Sequence, residues 1–369
     1  MKKIRLGDIC SKQSSKYAQK DLEELRGEYP VYGASGFIKS INTYHQEKDY
    51  VAVVKDGAGV GRTMYLPAKS SVIGTLQYLI PKEGVDPKYL YYAVKSRHLE
   101  KYCTGATIPH IYFKDYQNEP IVWYDKREQI AIVSILEKVE TIIDSRKREI
   151  EYLDTIIKSR FIEMFGNPVS NEMCWEQAPL SGCIESIENG KSFVCDSVAR
   201  VGDWPAVLKL SAVTYGYYCP EENKAVLDKN QFIEGAAVRD GDLLFTRKNT
   251  PELVGMCAYV YDTPSKLMMP DLIFRLNINQ RCNKIFLWKL INHDLFRDCI
   301  QAIATGSAKS MSNISKERLL GLKIILPPIE LQEQFATFVT RIDKSKVIIQ
   351  AALDKAQLLF NSLMQKYFG

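Results

Sequence analysis

Two long stretches of the chain, one central and one C-terminal, place apolar residues at alternating steps of three and four. The positions are Leu136, Val139, Ile143, Ile150, Leu153 and Ile157 in the first, and Phe338, Ile342, Ile349, Leu359 and Leu363 in the second. Such a seam, sustained over several heptads without Pro or Gly inside it, is typical of a coiled coil. The pattern predicts long helices at 126–166 and 329–369, packed against each other.

The stretches that precede these helices contain short runs rich in β-branched and aromatic residues, which predict strands. The runs cover 49–54, 64–66, 71–73 and 76–80 in the first stretch, and 242–246 and 256–261 in the second. Each stretch also has one short amphipathic segment, 87–94 or 285–291, that predicts a helix. The pattern therefore predicts an α+β protein with β-rich domains at 1–125 and 167–328, each followed by a long helix.

Short strings recur in one order along the two halves, which indicates an internal repeat. The matched strings are Val60-Gly61 with Val254-Gly255, Thr104-Gly105 with Thr305-Gly306, Glu128-Gln129 with Glu333-Gln334, and Phe165-Gly166 with Phe368-Gly369. Chance matches do not keep both their order and a nearly constant spacing. We therefore expect two copies of one plan, arranged in tandem.

Composition narrows the class of protein. With 46% hydrophobic and 25% charged residues, the chain is typical of a globular protein. The nine cysteines form no Cys-x-x-Cys pair and the four histidines are dispersed, so neither a disulfide framework nor a zinc site is expected. No secretory signal and no apolar run long enough for a bilayer is visible. The sequence predicts a cytoplasmic protein without a membrane partner or a bound metal.

Charge is distributed unevenly between the two predicted domains. The net charge is +5; residues 1–125 carry 18 basic and 14 acidic side chains, whereas residues 167–328 carry 18 of each. This balance permits nucleic-acid binding without requiring it. A neutral second domain that binds DNA would have to collect its basic side chains on one face.

Motifs that support catalysis are absent from the sequence. The glycine-rich run at 57–62 has neither the phosphate-loop nor the dinucleotide spacing, and it is expected to be a turn between strands. The Asn-Pro-Pro-aromatic loop of an adenine methyltransferase has no match at 167–169 or 326–329. No nucleophile elbow and no nuclease-like acidic cluster is present. We therefore expect a non-catalytic chain.

Three segments give the chain a family resemblance over its whole length. They are Lys-Arg-Glu-Gln-Ile-Ala at 126–131, Leu-Pro-Pro-Ile-Glu-Leu-Gln-Glu-Gln at 326–334, and Thr-Gly-Ala-Thr-Ile-Pro-His-Ile at 104–111. The counterpart of the last segment, at 305–314, lacks the proline. Together with the repeat, these segments resemble the specificity (S) subunit of type I restriction-modification systems.

The resemblance implies separate roles for the two domains, the two helices and the partner subunits. The two β-rich domains would be target recognition domains, each reading one half of a split site in double-stranded DNA. The two helices would pack antiparallel, give the chain a pseudo-two-fold, set the gap between the half-sites and seat two methyltransferase (modification) subunits. Restriction (translocase) subunits would join that complex. The chain itself would bind no cofactor, with S-adenosylmethionine, ATP and Mg expected on the partner subunits.

Candidate DNA-binding residues are basic or amide side chains beside glycines and in turns, where phosphates and base edges can be reached. They are Lys39, Lys55, Arg62, Lys69, His110 and Lys114 in the first domain, and Lys191, Lys209, Arg247, Lys248, Asn249 and Lys309 in the second. Two nearby aromatic residues, Tyr112 and Tyr215, are expected to pack in the core or on a strand face.

Two other functions remain open at this point. One is a DNA methyltransferase or nuclease that acts alone, which binding of S-adenosylmethionine by the isolated chain would indicate. The other is a stand-alone DNA-binding or coiled-coil interaction protein. The absence of a neighbouring methyltransferase gene would favour that second alternative.

Overall fold

The computed structural model describes residues 2–105, 109–306 and 311–369. Contacts divide the chain into two compact units: Met1–Glu149 with Ile349–Gly369, and Ile150–Ile348. Each unit therefore combines one β-rich region with part of both long helices. The boundaries predicted from the sequence, which separate each helix from the domain before it, stay a prediction.

The elements of the first unit include nine strands, counted over the described residues. The strands are β1 (Lys3–Arg5), β2 (Cys10–Ser14), β3 (Tyr29–Gly33), β4 (Gly36–Ile41), β5 (Tyr50–Val54), β6 (Thr63–Leu66), β7 (Ser71–Val72), β8 (Leu76–Pro81) and β9 (Pro120–Val122). The α-helices are α1 (Leu6–Ile9), α2 (Pro87–Lys95), α3 (Phe113–Tyr116) and the start of α4 (Lys126–Phe165), with 3-10 turns at Gln19–Leu22 and Leu99–Tyr102.

The second unit repeats most of these elements. Its strands are β10 (Gln177–Pro179), β11 (Ile184–Asn189), β12 (Ala206–Leu208), β13 (Asn223–Ala225), β14 (Leu243–Thr246), β15 (Lys248–Asn249), β16 (Cys257–Tyr259), β17 (Leu267–Met268), β18 (Ile273–Ile278), β19 (Ser312–Asn313) and β20 (Lys323–Ile325). Its helices are α5 (Ser211–Thr214), α6 (Lys284–Ile291), α7 (Arg297–Ala302), α8 (Lys316–Leu320) and the start of α9 (Ile329–Phe368). Its 3-10 turns are Leu180–Gly182, Lys229–Gln231, Glu234–Ala236 and Asp294–Phe296.

All three sheets of the first unit have counterparts in the second, which also contains the two-stranded sheet β15-β19. A four-stranded antiparallel sheet has the order β2-β8-β5-β6 in the first unit and β11-β18-β14-β16 in the second. A three-stranded sheet has the order β4-β3-β7 or β13-β12-β17, with its last pair parallel. The pair β1-β9 corresponds to β10-β20. The predicted tandem repeat and α+β class are confirmed.

The core lies on both sides of the four-stranded sheet. Because side chains alternate along a strand, Val51 and Val53 of β5 pack toward α2, while Tyr50, Ala52 and Val54 pack toward the three-stranded sheet. All five are buried, which is why the run reads as continuously apolar. Strand β14 alternates in the same way.

The two long helices pack on each other within each unit. In the first unit, Leu136 and Val139 of α4 share a buried cluster with Phe360 of α9. In the second, Phe161 and Phe335 lie with ring centroids 5.5 Å apart. The early part of one helix thus meets the late part of the other, so the predicted coiled coil is antiparallel.

Most seam residues predicted from the sequence are buried or half-buried. The buried ones are Leu136, Val139, Ile143 and Ile157; the half-buried ones are Ile150, Leu153, Phe338, Ile342, Ile349 and Leu363. The exception is Leu359, which is 51% exposed, while Ala356 and Phe360 beside it are buried. The expectation for Leu359 is wrong because each residue turns a helix by about 100°, so adjacent leucine and phenylalanine cannot both face the seam.

A buried glutamine ties each long helix to the short helix of its own unit. The Gln129 side-chain oxygen accepts the backbone N–H of Asp86 at 2.8 Å, and that of Gln332 accepts the N–H of Asn283 at 2.9 Å. The Gln129 amide donates to Tyr124 O, and the Gln332 amide to Pro327 O. Both glutamines are fully buried. The N-cap residue of α2 or α6 is therefore held by the long helix.

These contacts correct the alignment of the repeat. The sequence strings pair Gln129 with Gln334, but Gln334 is exposed and Gln332 makes the matching hydrogen bonds. Helix bounds agree with this, since Lys126 and Phe165 correspond to Ile329 and Phe368 at an offset of 203. Residues two apart lie on nearly opposite sides of a helix, so only one of the two glutamines can face the core.

A largely buried lysine lies in the second unit, with 15% of its side chain exposed. Burial lowers the pKa of Lys289 to about 8, and the attraction of Asp343, with side-chain atoms 3.9 Å away, opposes only part of that effect. Below pH 8 the ammonium is charged in both the folded and the unfolded chain, so the full cost of burial applies. Between pH 8 and the usual lysine pKa of about 10.4, the folded state sheds its proton first and stability rises.

We expect Lys289→Met to gain stability over the parent chain at pH 7, and to lose about 2–3 kcal/mol of that advantage by pH 10. The gain arises because methionine removes the buried charge at pH 7, whereas at pH 10 the lysine is already neutral in the folded chain. Chemical denaturation of both proteins at the two pH values measures this difference. A stability difference that is independent of pH would contradict it.

Candidate nucleic-acid interface

Equivalent backbone hydrogen bonds join two turns in each unit. In the first unit, Ile111 N donates to Lys55 O at 2.9 Å; in the second, Ile314 N donates to Arg247 O at 2.8 Å. These bonds join the turn after the central strand to a second turn that precedes α3 or α8. We call residues 55–62, 104–105 and 109–114 the first turn cluster, and residues 247–250, 305–306 and 311–314 the second.

A reciprocal pair of backbone bonds closes the second turn of each cluster. Thr104 and His110 exchange both N–H···O bonds at 2.9 Å, and Thr305 and Asn313 exchange both at 2.8 Å. The hydroxyl of each threonine also donates to the carbonyl of its partner residue. The Thr-Gly strings recognised in the sequence therefore mark equivalent positions. Parts of these turns, 106–108 and 307–310, lie outside the described residues.

The first turn cluster brings four of the predicted residues together. Lys55 pairs with Asp56 at 3.0 Å, and Gly57 N donates to Pro109 O beside His110. The imidazole of His110 lies 4.9 Å from the ring of Tyr112, and the Lys114 ammonium lies 5.4 Å from that ring. The fourth predicted residue, Arg62, is exposed at the end of the glycine-rich turn. Cationic and aromatic groups in this arrangement can meet phosphates and base edges.

The glycine-rich run forms the predicted turn between β5 and β6. Its three glycines have φ of 85° to 87°, a region that other residues rarely adopt. A Cβ on Gly61 would lie 2.5 Å from the backbone N of Glu100, so a side chain cannot fit there. Glycines are needed here for backbone geometry, which explains the run without a phosphate site.

Two predicted residues of the first domain lie elsewhere. The Lys39 ammonium donates to the carbonyls of Leu22 and Glu23 at 2.6 and 3.1 Å, so it braces a turn of its own unit. Lys69 is exposed in the turn before β7, with a positive φ of 54°. Neither is joined to the first turn cluster by a hydrogen bond among the described residues.

The second turn cluster contains Arg247, Lys248 and Asn249, with different accessibility. The Arg247 guanidinium donates to Asn313 Oδ1 at 3.3 Å and stacks over Phe274 at 5.2 Å. Asn249 is only 8% exposed and donates to Thr214 Oγ1 at 3.0 Å. The amide of Asn249 is thus committed to an internal hydrogen bond, and its contact with a base stays a prediction. Lys248 is half-buried.

Two further predicted residues of the second domain, Lys191 and Lys209, are not joined to this cluster by a side-chain hydrogen bond among the described residues. Lys209 pairs with Glu222 at 3.4 Å. The hydroxyl of Ser211 and the charge of Lys209 together hold the pKa of Glu222 below its usual range. Lys191 is exposed beside Met269, to whose carbonyl its backbone N–H donates. Lys309 lies outside the described residues.

Two aromatic residues expected to pack in the core or on a strand face lie instead at the surface, outside the strands. Tyr112 is 52% exposed and Tyr215 is 62% exposed. Tyr217, which the sequence did not single out, is 57% exposed. Aromatic rings are enriched both in strands and at binding surfaces, so residue type alone does not distinguish these two roles.

The described ranges contain no group of three or more acidic, histidine or cysteine residues placed to hold a metal ion. Within the same part of the chain, no helix combines the length and apolar character that crossing a bilayer demands. The chemistry that the two turn clusters offer is that of hydrogen-bond donation and positive charge.

The known proteins that match this chain by sequence belong to one family. A family model for the type I restriction modification DNA specificity domain matches residues 1–154 and 174–357. A specificity subunit of the type I restriction enzyme EcoEI from Escherichia coli is 32% identical over 161 residues, 43% of this chain and 27% of that protein. The putative MjaX specificity subunit from Methanocaldococcus jannaschii is 26% identical over 53% of this chain and 45% of that protein. The chain thus spans less than half the length of these two relatives.

A solved structure shares the fold, and a further relative matches by sequence over most of the chain. The S subunit of a type I restriction-modification system from M. genitalium has a TM-score of 0.64 and 14% identity, covering 100% of this chain and 96% of that one. The EcoKI specificity subunit from Escherichia coli K12 is 20% identical over 87% of this chain and 74% of that protein. The similarity therefore extends across both units.

Proposed function

The chain belongs to the family of type I restriction-modification DNA specificity proteins, and on that basis we propose that it reads a split site in double-stranded DNA. The two turn clusters would each contact one half-site. The observation that carries this proposal is the same closed turn occurring twice with different side chains, Lys55 and His110 in one copy and Arg247 and Asn313 in the other. Different side chains on one scaffold favour different half-sites.

We expect this chain itself to carry out no chemical step. Two modification subunits would bind the long helices and methylate adenine, and restriction subunits would join to translocate and cleave DNA. S-adenosylmethionine, ATP and Mg would bind those partners, in the cytoplasm. The antiparallel packing of α4 and α9 supports this role. Because part of each helix packs in each unit, both units have a helical surface next to their β-rich region.

The test is single-molecule mapping of N6-methyladenine in host DNA with and without the gene. We expect a split motif with a fixed gap that disappears on deletion of the gene, because methylation would follow the sites that this chain reads. Return of the motif when the gene is restored on a plasmid is the control. A methylome that is unchanged by deletion in a strain expressing the whole system would contradict the proposal.

A further inference from the structure

Two tyrosine rings lie free at the surface of the second unit. Tyr215 and Tyr217 are 62% and 57% exposed, with ring centroids 6.4 Å apart and planes inclined by 29°. Within the described ranges, neither hydroxyl has a hydrogen bond. Their apolar faces are therefore available to another molecule.

Two hydrogen bonds to the Gly216 carbonyl anchor the loop that carries these rings. The indole N–H of Trp288 donates to Gly216 O at 2.8 Å, and Asn292 Nδ2 donates to the same oxygen at 3.4 Å. Gly216 has a φ of 83°, and a Cβ there would lie 3.2 Å from Met256 Cε and from Asn292 Nδ2. Rings on an anchored loop lose little conformational freedom when they bind, which favours affinity.

The tyrosine loop is continuous with the second turn cluster. The buried Asn249 amide donates to Thr214 Oγ1, directly before Tyr215. Asn249 follows Lys248 in β15, so a hydrogen bond joins the tyrosine loop to the strand that carries the Lys248 charge. A cation beside exposed rings matches the negative backbone and planar bases of a nucleic acid.

The first unit has a related arrangement at the equivalent place. Phe37, in the β3–β4 hairpin, is 62% exposed, and Arg62 of the first turn cluster donates to Ala34 O of that hairpin at 2.9 Å. Tyr215 and Tyr217 lie in the corresponding connection between β12 and β13. In both units, then, a side chain of the turn cluster donates a hydrogen bond to the segment, β3–β4 or β12–β13, that carries an exposed ring.

We propose that Tyr215 and Tyr217 stack on a base of the half-site read by the second unit, unstacking it from its neighbour in the duplex. The inference rests on the proposed function and adds a mode of contact to it. Every base has a π-face, and pyrimidine–purine steps unstack most easily. The pair would therefore select for a deformable step as well as for hydrogen-bonding edges.

The experiment uses the complete complex of this chain with its modification subunits, and duplexes that contain the mapped site. 2-Aminopurine, whose fluorescence rises when it is unstacked, replaces one base at a time in the second half-site. We expect a rise at one position with the parent chain. The double variant Tyr215→Ala, Tyr217→Ala should lose that rise and bind the site about 10- to 100-fold more weakly.

Two further variants make the result specific. Tyr215→Phe, Tyr217→Phe keeps the rings and should keep both the affinity and the fluorescence change. Leu227→Ala removes a similarly exposed apolar side chain, 60% exposed, from another turn of the same unit and should change neither. The inference is overturned if the double alanine variant binds like the parent, or if no position responds. A parent complex that binds without sequence preference would instead overturn the proposed function.

Discussion

Replacing Gln332 with leucine is expected to destabilise the second unit by about 3 kcal/mol or more. The substitution keeps the volume but leaves the N–H of Asn283 and the carbonyls of Arg281 and Pro327 without their partner. Each buried polar group that loses its hydrogen bond costs about 1–3 kcal/mol. Chemical denaturation and hydrogen exchange at the Asn283 amide measure the loss.

Gln334→Leu is the matched control, because it makes the same chemical change two residues away on the same helix. Gln334 is exposed, so its replacement should change stability by no more than about 0.5 kcal/mol. Equal effects of the two substitutions would refute the assigned role of Gln332. They would also refute the 203-residue register between the two copies.

Lys248→Ala is expected to weaken recognition of one half-site and to leave the other unchanged. Among the described residues, the Lys248 ammonium has no hydrogen bond or ion pair, so it is available to DNA. Loss of one good base contact costs about 1–3 kcal/mol, roughly a 10- to 100-fold fall in methylation of the intact site. Methylation of duplexes that vary each half-site in turn measures the effect.

Lys209→Ala provides the comparison for Lys248, since Lys209 belongs to the same unit but is paired with Glu222. It should leave the sequence preference as it is. If Lys248→Ala reduces methylation equally for duplexes altered in either half-site, Lys248 contacts the phosphate backbone or supports folding. In that case it does not read a base of one half-site.

The architecture could largely be predicted from apolar spacing. Strands β5 and β14, helices α2 and α6 and both long helices appear where their patterns place them, because burial alone selects those residues. The register of the repeat could not be predicted correctly. Gln332 and Gln334 are the same residue type, and the repeated Glu-Gln string favours Gln334, whereas the hydrogen bond from the Asn283 N–H identifies Gln332.

The candidate site was less predictable than the fold. Lys39 and Lys209 are basic residues near turns, just as Lys248 is, yet two carbonyl groups hold the first and Glu222 holds the second. Such pairings depend on which segments meet in the folded chain. The exposed rings of Tyr215 and Tyr217 escape prediction for a similar reason: the anchor beneath them comes from Trp288, far away in sequence.

The reciprocal backbone bonds between Thr104 and His110, and between Thr305 and Asn313, have an evolutionary consequence. Five residues lie between the first pair and seven between the second, yet both turns close with the same bonds. Because main-chain groups make the closure, insertions and substitutions between the paired residues need not disturb the sheet beneath. Such a turn can change its residues at low cost to folding, so under the proposed function a new target sequence would need only a few substitutions there.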